Sequence, residues 1–292
     1  MHIPSLFHCL RTGERSVVLV ADHAERLRTY TALMQLVNRV APLLVSSHCP
    51  TAIEAVTGGQ IRFVTEAEVL GQIGSLALLP IPAGRFWMGS DTRYSDEAPL
   101  HQRESAGFAM MRVPITVLQY QVAIDLGVVM APPPTNGVSW PEHLQHPRHP
   151  AVAMTLEEAE TVAWWLSGLI HQPLRVPTEA EWEYAARGTD QREYPTGETE
   201  DVFWANVPPL GTLVDVGQLV GGASPFGISS LIGQVGAWTS SRYCSYTGPT
   251  PDHLPPWVVV RGGPGRHMTT TYRTDTDPQR RSAYVGMRLV CG

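Results

Sequence analysis

The segment Leu174-Arg175-Val176-Pro177-Thr178-Glu179-Ala180-Glu181-Trp182-Glu183-Tyr184-Ala185-Ala186-Arg187-Gly188 constrains the fold of this chain more than any other. A strand ending on arginine runs through Pro177 into a helix. Thr178 stands at the N-cap, and Glu181, three residues on, completes a capping box. Trp182, Tyr184, Ala185 and Ala186 then predict one tightly packed face. The segment fixes a strand end against a helix start and carries no chemistry by itself.

The rest of the chain has two rhythms. Residues 16–70 alternate as a small parallel α/β module: a strand at 16–21, a helix at 23–40 entered from Asp22, a strand at 42–46, a short helix from Thr51, and a strand at 61–64. Its loops carry no glycine-rich phosphate fingerprint, so residues 1–75 are expected to form an accessory unit that could dock a partner. From Leu78 the pattern changes to short strands, frequent turns and scattered tryptophans, which makes residues 76–292 a second, α+β domain. Thr116 and Thr155 are placed to cap helices in it. Residues 131–150 hold six prolines and are expected on the surface as a loop.

Composition removes several functions. The formal charge of −6 supplies no basic field for nucleic acid, and every one of the 21 cations is an arginine. No apolar run approaches a membrane span. Cys9, Cys49, Cys244 and Cys291 form no paired motif and are expected as free thiols. Met1–Leu6 lacks the basic start and apolar core of a secretion signal.

Taken in order, Pro80–Ser90, Asp96–His101, Val113–Tyr120, Leu174–Gly188, Gly233–Trp238, Val260–Gly263 and Gly286–Val290 resemble the formylglycine-generating-enzyme, or sulfatase-modifying factor, family. The resemblance implies a C-type-lectin-like fold over about residues 78–291. It also implies an oxidase that holds copper on two cysteines soon after an Arg-Gly-Gly motif. Here Arg261-Gly262-Gly263 is followed by Pro264–Arg273 without a cysteine, so the family's copper chemistry lacks its ligands. The family's calcium site would draw on Gln234 and Ala237, which offer one amide oxygen and no carboxylate. The sulfoxide-synthase branch would need an iron-binding histidine motif, which His2, His8, His23 and His48 do not spell. His146 and His149 sit three apart in the proline-rich loop and read as surface residues. No catalytic residue, cofactor or metal is expected. A metal-dependent oxidoreductase with a different site is the alternative.

Binding is the better reading. In this fold the C-terminal strands face the ligand, and residues 266–284 are polar, threonine-rich and interspersed with arginine and tyrosine. The expected ligand-binding set is Arg266, His267, Met268, Thr269, Thr271, Tyr272, Thr274, Asp275, Thr276, Gln279, Arg281, Ser282 and Tyr284, facing a protein or other macromolecular ligand. The variable proteins of diversity-generating retroelements share the fold and rewrite adenines near the gene's end. Thr269, Thr270, Thr271, Thr274, Asp275, Thr276, Ser282, Ala283 and Tyr284 are all reachable from an asparagine codon by such changes. The chain is thus expected to be a pseudoenzyme, in the cytoplasm or with a phage rather than secreted. Arg175, Glu179, Trp182, Tyr184, Arg187, Trp238, Arg261 and Arg288 are assigned to the fold.

Overall fold

A computed structural model describes the strand at 16–20 and residues 61–137, 139–197, 199–200, 203, 207, 209, 211–218, 222–247 and 256–292. The helices expected at 23–40 and from Thr51, and the strand expected at 42–46, lie outside the described residues. The described part divides into two compact units. The first contains β1 (Ser16–Val20), β2 (Ile61–Thr65), the helix Glu66–Ile73 and residues 121–130. β1 and β2 pair in parallel, Ser16 opposite Ile61 through Val20 opposite Thr65.

The second unit, Ser75–Tyr120 with Ala131–Gly292, is built from short strands around one buried helix. β3 (Leu78–Ile81), β6 (Phe108–Met111), β12 (Val290–Cys291) and β7 (Leu174–Arg175) form an antiparallel sheet in that order. β4 (Gly84–Met88) and β5 (His101–Ser105) make a hairpin that encloses the 3-10 turn Ser95–Glu97. The third sheet has the order β10 (Arg273–Thr276), β9 (Val258–Gly262), β8 (Gly236–Arg242), β11 (Val285–Gly286). Its last pair is parallel.

The helix Glu179–Arg187 begins as the sequence dictates. The Thr178 hydroxyl accepts from the Glu181 amide at 3.2 Å, and the Glu181 carboxylate accepts from the Thr178 amide at 2.7 Å. Glu181 also takes both ends of the Arg175 guanidinium, at 2.6 and 2.7 Å, which ties β7 to the helix start. The expected single packed face is not what forms. Trp182 through Arg187 are all buried, because the helix runs against β4, β5, β8 and β9 at once. Thr155 builds the same capping box with Glu158 at the head of Leu156–Ile170. Thr116 exchanges bonds with Gln119 at the head of Val117–Asp125. The proline-rich stretch is less irregular than expected, since it holds the short helix Trp140–His143, whose Trp140 packs on Tyr120.

Glycines 262 and 263 are required by close approach. A Cβ at Gly262, whose φ is +74°, would collide with the Leu231 carbonyl, and one at Gly263 with the Met268 sulfur. That accounts for the Arg-Gly-Gly motif without chemistry.

Candidate functional site

The C-terminal surface rests on a buried ion cluster. Glu179 and Glu183 lie one turn apart, on the same helix face. Arg261 on β9 and Arg273 on β10 stand directly opposite each other in the register. Two like charges so placed repel unless a counterion separates them. Glu179 does this: its Oε1 accepts from Arg261 Nη1 at 2.9 Å and Arg273 Nε at 2.8 Å, and its Oε2 from Arg273 Nη2 at 2.8 Å. Glu183 takes Arg261 Nη2 at 2.7 Å, the Gly89 amide at 2.8 Å and Arg187 Nη1 at 3.2 Å. The Arg273 guanidinium lies 4.2 Å from the Tyr246 ring centre and 4.8 Å from that of Tyr243, and donates to the carbonyls of Asp96 and Cys244. Such a cluster is worth its desolvation only when each charge is paired, and here the pairing fixes β10, the helix and the acidic turn together.

The loop between β9 and β10 is laid over this base. Thr270 donates its amide to the Glu193 carbonyl and its hydroxyl to the Arg192 carbonyl, while its own carbonyl accepts from Arg261. The hydroxyls of Thr269 and Thr271 bond each other at 3.1 Å. What reaches solvent is an aromatic cluster: Tyr272 is met edge-on by Tyr94 at 5.6 Å and by His267 at 4.9 Å. Tyr94 is 48% exposed. Arg266 and Asp275 are exposed on the same segment, and Arg93 bridges to Glu193 at 2.8 Å. Tyr243 donates to Asp96 at 2.8 Å; burial first, and that bond second, raise its phenol above the ordinary range.

Beneath the cluster lies Glu97, fully buried, with its carboxyl group against the Thr271 hydroxyl. Burial raises its pKa above the ordinary carboxylate range, against the opposing pull of the Thr271 hydroxyl, Arg261 and Arg93.

The predicted ligand-binding residues therefore separate. Arg266, His267, Tyr272, Thr274 and Asp275 reach solvent along the β10 edge. Thr269, Thr271 and Thr276 are buried, and Met268 packs on the core, so these four support the surface instead of presenting it. A threonine has the same sequence signature in either role, because its hydroxyl can be satisfied internally. Gln279, Arg281, Ser282 and Tyr284 do not join the first group. Arg281, Ser282 and Tyr284 lead into β11, which lies at the opposite edge of the sheet, three strand spacings or about 14 Å from β10, and Gln279 sits in the turn between the two strands. Arg281 is held there by both oxygens of Glu158, at 2.6 Å each. Sequence reasoning missed Tyr94, Arg93, Glu193 and Glu97. The acidic turn Asp96-Glu97 was the one signal that could have pointed to them.

The metal sites of the resemblance can be tested on the side chains present. Hydroxyls and an imidazole stand where copper(I) would need thiolates, which does not fit that ion. Cys244 follows β8 and Cys291 lies in β12, in another sheet. Gln234 spends its carbonyl oxygen on the Val214 amide at 2.7 Å. His146 and His149 stack face to face at 4.5 Å.

Residues 74–292 match the sequence profile described as the Sulfatase-modifying factor enzyme 1-like domain. The chain is 28% identical over 227 residues to the formylglycine-generating enzyme of Mycobacterium tuberculosis, covering 57% of this chain and 74% of that one. It is 26% identical over 270 residues to the hercynine oxygenase of Mycolicibacterium smegmatis, covering 72% of this chain and 60% of the relative. Among solved structures, variable protein 1 of Treponema denticola superposes with a TM-score of 0.57 at 16% identity, over 75% of this chain and 96% of that one. The α+β domain has the C-type-lectin-like fold.

Proposed function

We propose that this chain, which belongs to the family of Sulfatase-modifying factor enzyme 1-like domains, is a binding protein that presents the surface around Tyr272 to a protein or other macromolecular ligand. The observation that carries the reading is the Tyr94–Tyr272–His267 cluster, with half-buried Tyr272 between two exposed rings, on a base locked by Glu179, Arg261 and Arg273. Aromatic anchors that are rigid before binding lose little entropy on contact, and Arg266, Asp275 and the Arg93–Glu193 pair supply a polar rim. Panning a random peptide library against the purified chain tests it. Selected peptides should lose binding on Tyr272→Ala, and retention by the combined Arg266→Ala, His267→Ala, Tyr272→Ala variant would defeat the assignment.

A finer reading makes the chain the variable protein of a diversity-generating retroelement. The fold likeness to the Treponema variable protein is compatible with it. Burial narrows it, since a diversified position must tolerate many side chains. Thr269, Thr270, Thr271, Thr276 and Ala283 are at most 7% exposed, which leaves Thr274, Asp275, Ser282 and Tyr284 from the original set. Sequencing DNA beside the gene decides: a near-copy of the 3′ end differing only at adenines supports it, and none removes it.

An oxidoreductase with a non-standard metal site is the second reading, supported by one fact: relatives of this chain carry the names of enzymes. One equivalent of iron or copper in the purified protein after mild chelation would select this reading over binding.

A further inference from the structure

A cleft of about 470 Å³ opens within the second unit where β6 ends, and none of the residues of the Tyr272 surface lines it. Met111, Arg112, Gln119, Arg148, Gly217 and Ser229 are among the residues that line it, and among the described residues no carboxylate does. Arg112 is exposed and has no carboxylate partner among the described residues. Arg148 Nε lies 3.6 Å from an Asp215 oxygen. Its Nη2 end lies over Gly217, where a Cβ would come within 3.4 Å.

A third guanidinium lies behind the wall. Arg288 is 1% exposed and donates to the carbonyls of Met111 at 2.6 Å, Ser229 at 2.5 Å and Ser230 at 3.0 Å, without a carboxylate. Burial lowers its pKa to about 9, so it is still charged at neutral pH. Two of its three acceptors belong to cleft residues, so its field reaches the cleft through one peptide layer of low dielectric. Of these three cations, only Arg148 faces an anion.

We infer that this cleft is an oxyanion-binding site for a small molecule bearing a carboxylate or phosphate, gripped by the forks of Arg112 and Arg148. The guanidinium fork matches both groups in two-point geometry, and a cleft of this size accommodates an organic body beyond the anionic head. Asp215 and Gly217 act as positioning residues: the carboxylate steers Arg148, and the missing side chain at Gly217 lets its far end lie flat.

The test is calorimetric titration of the full chain with inorganic phosphate and with succinate, at matched ionic strength. Saturable binding of either supports the site, and the preferred probe identifies the class of head group. Arg112→Gln and Arg148→Gln should each weaken binding about tenfold or more. Arg112→Lys keeps the charge but not the fork and should fall between. Trp164→Ala, on an exposed side chain of another surface, should bind as the native chain does. No saturable binding of either probe, or binding unchanged in both Gln variants, overturns the inference.

Discussion

Replacing Arg273 with methionine separates support from contact at the proposed surface. The residue is 3% exposed, so the change acts inside the protein. Methionine fills similar volume but leaves Glu179 Oε2 without its guanidinium, while Oε1 keeps Arg261 at 2.9 Å and the Tyr246 hydroxyl at 3.0 Å. The carbonyls of Asp96 and Cys244 lose a donor each. Breaking a buried pair by removing one partner costs about 3–5 kcal/mol. For a domain of this size about 2–4 °C of Tm accompanies each kcal/mol, so the melting point should fall by roughly 6–20 °C. Arg266→Ala, seven residues earlier and exposed, should stay within about 0.5 kcal/mol of the native chain. Arg273→Lys should recover only part of the loss, because an ammonium cannot span both Glu179 oxygens while lying flat between two tyrosine rings. Thermal unfolding by circular dichroism measures all three. A fall under about 3 °C for Arg273→Met, or full stability of Arg273→Lys, would refute the account of the cluster as a paired lock.

Two pH predictions have opposite signs. Glu97 has its folded pKa raised, so the folded chain holds a proton that the unfolded chain releases, and stability falls as pH rises from the ordinary carboxylate range through the folded value. Glu97→Gln should therefore gain stability on the native chain between pH 4 and 8, and a difference independent of pH would contradict this. His143 and His149 have pKa values lowered by burial first and by neighbouring imidazoles second, with Asp215 opposing at His149. The unfolded chain takes up those protons first, so their contribution is present above the ordinary imidazole range and is lost as pH falls through the depressed values. His149→Gln should lessen the drop in Tm between pH 7 and pH 5; an unaltered drop would mean that the stacked pair does not sense pH.

Local instructions were legible in the sequence and cross-strand ones were not. The capping box from Thr178 to Glu181 is a four-residue pattern with one geometric solution and formed as read, and Thr155 caps its helix as expected, with Glu158 completing a second box. The Arg-Gly-Gly motif was legible only as part of the family resemblance, and the close approach of the Leu231 carbonyl that requires Gly262 came from the fold. Arg266 and Arg273, by contrast, are the same residue type in one polar run, yet one is exposed and the other buried. The difference is the register that sets Arg273 opposite Arg261 with Glu179 between them, a contact spanning 94 residues. The threonines failed for a related reason: Thr269 and Thr271 satisfy each other, so polarity gave no sign of exposure. The split of residues 266–284 between two sheet edges follows from strand order, which no local pattern in that segment encodes.

Hydrogen-exchange footprinting of the chain with and without a library-selected peptide locates the contact surface. Protection is expected at 92–97 and 265–275, with none at 279–284. A footprint at 279–284, or one that spares both Tyr94 and Tyr272, would contradict the proposed surface.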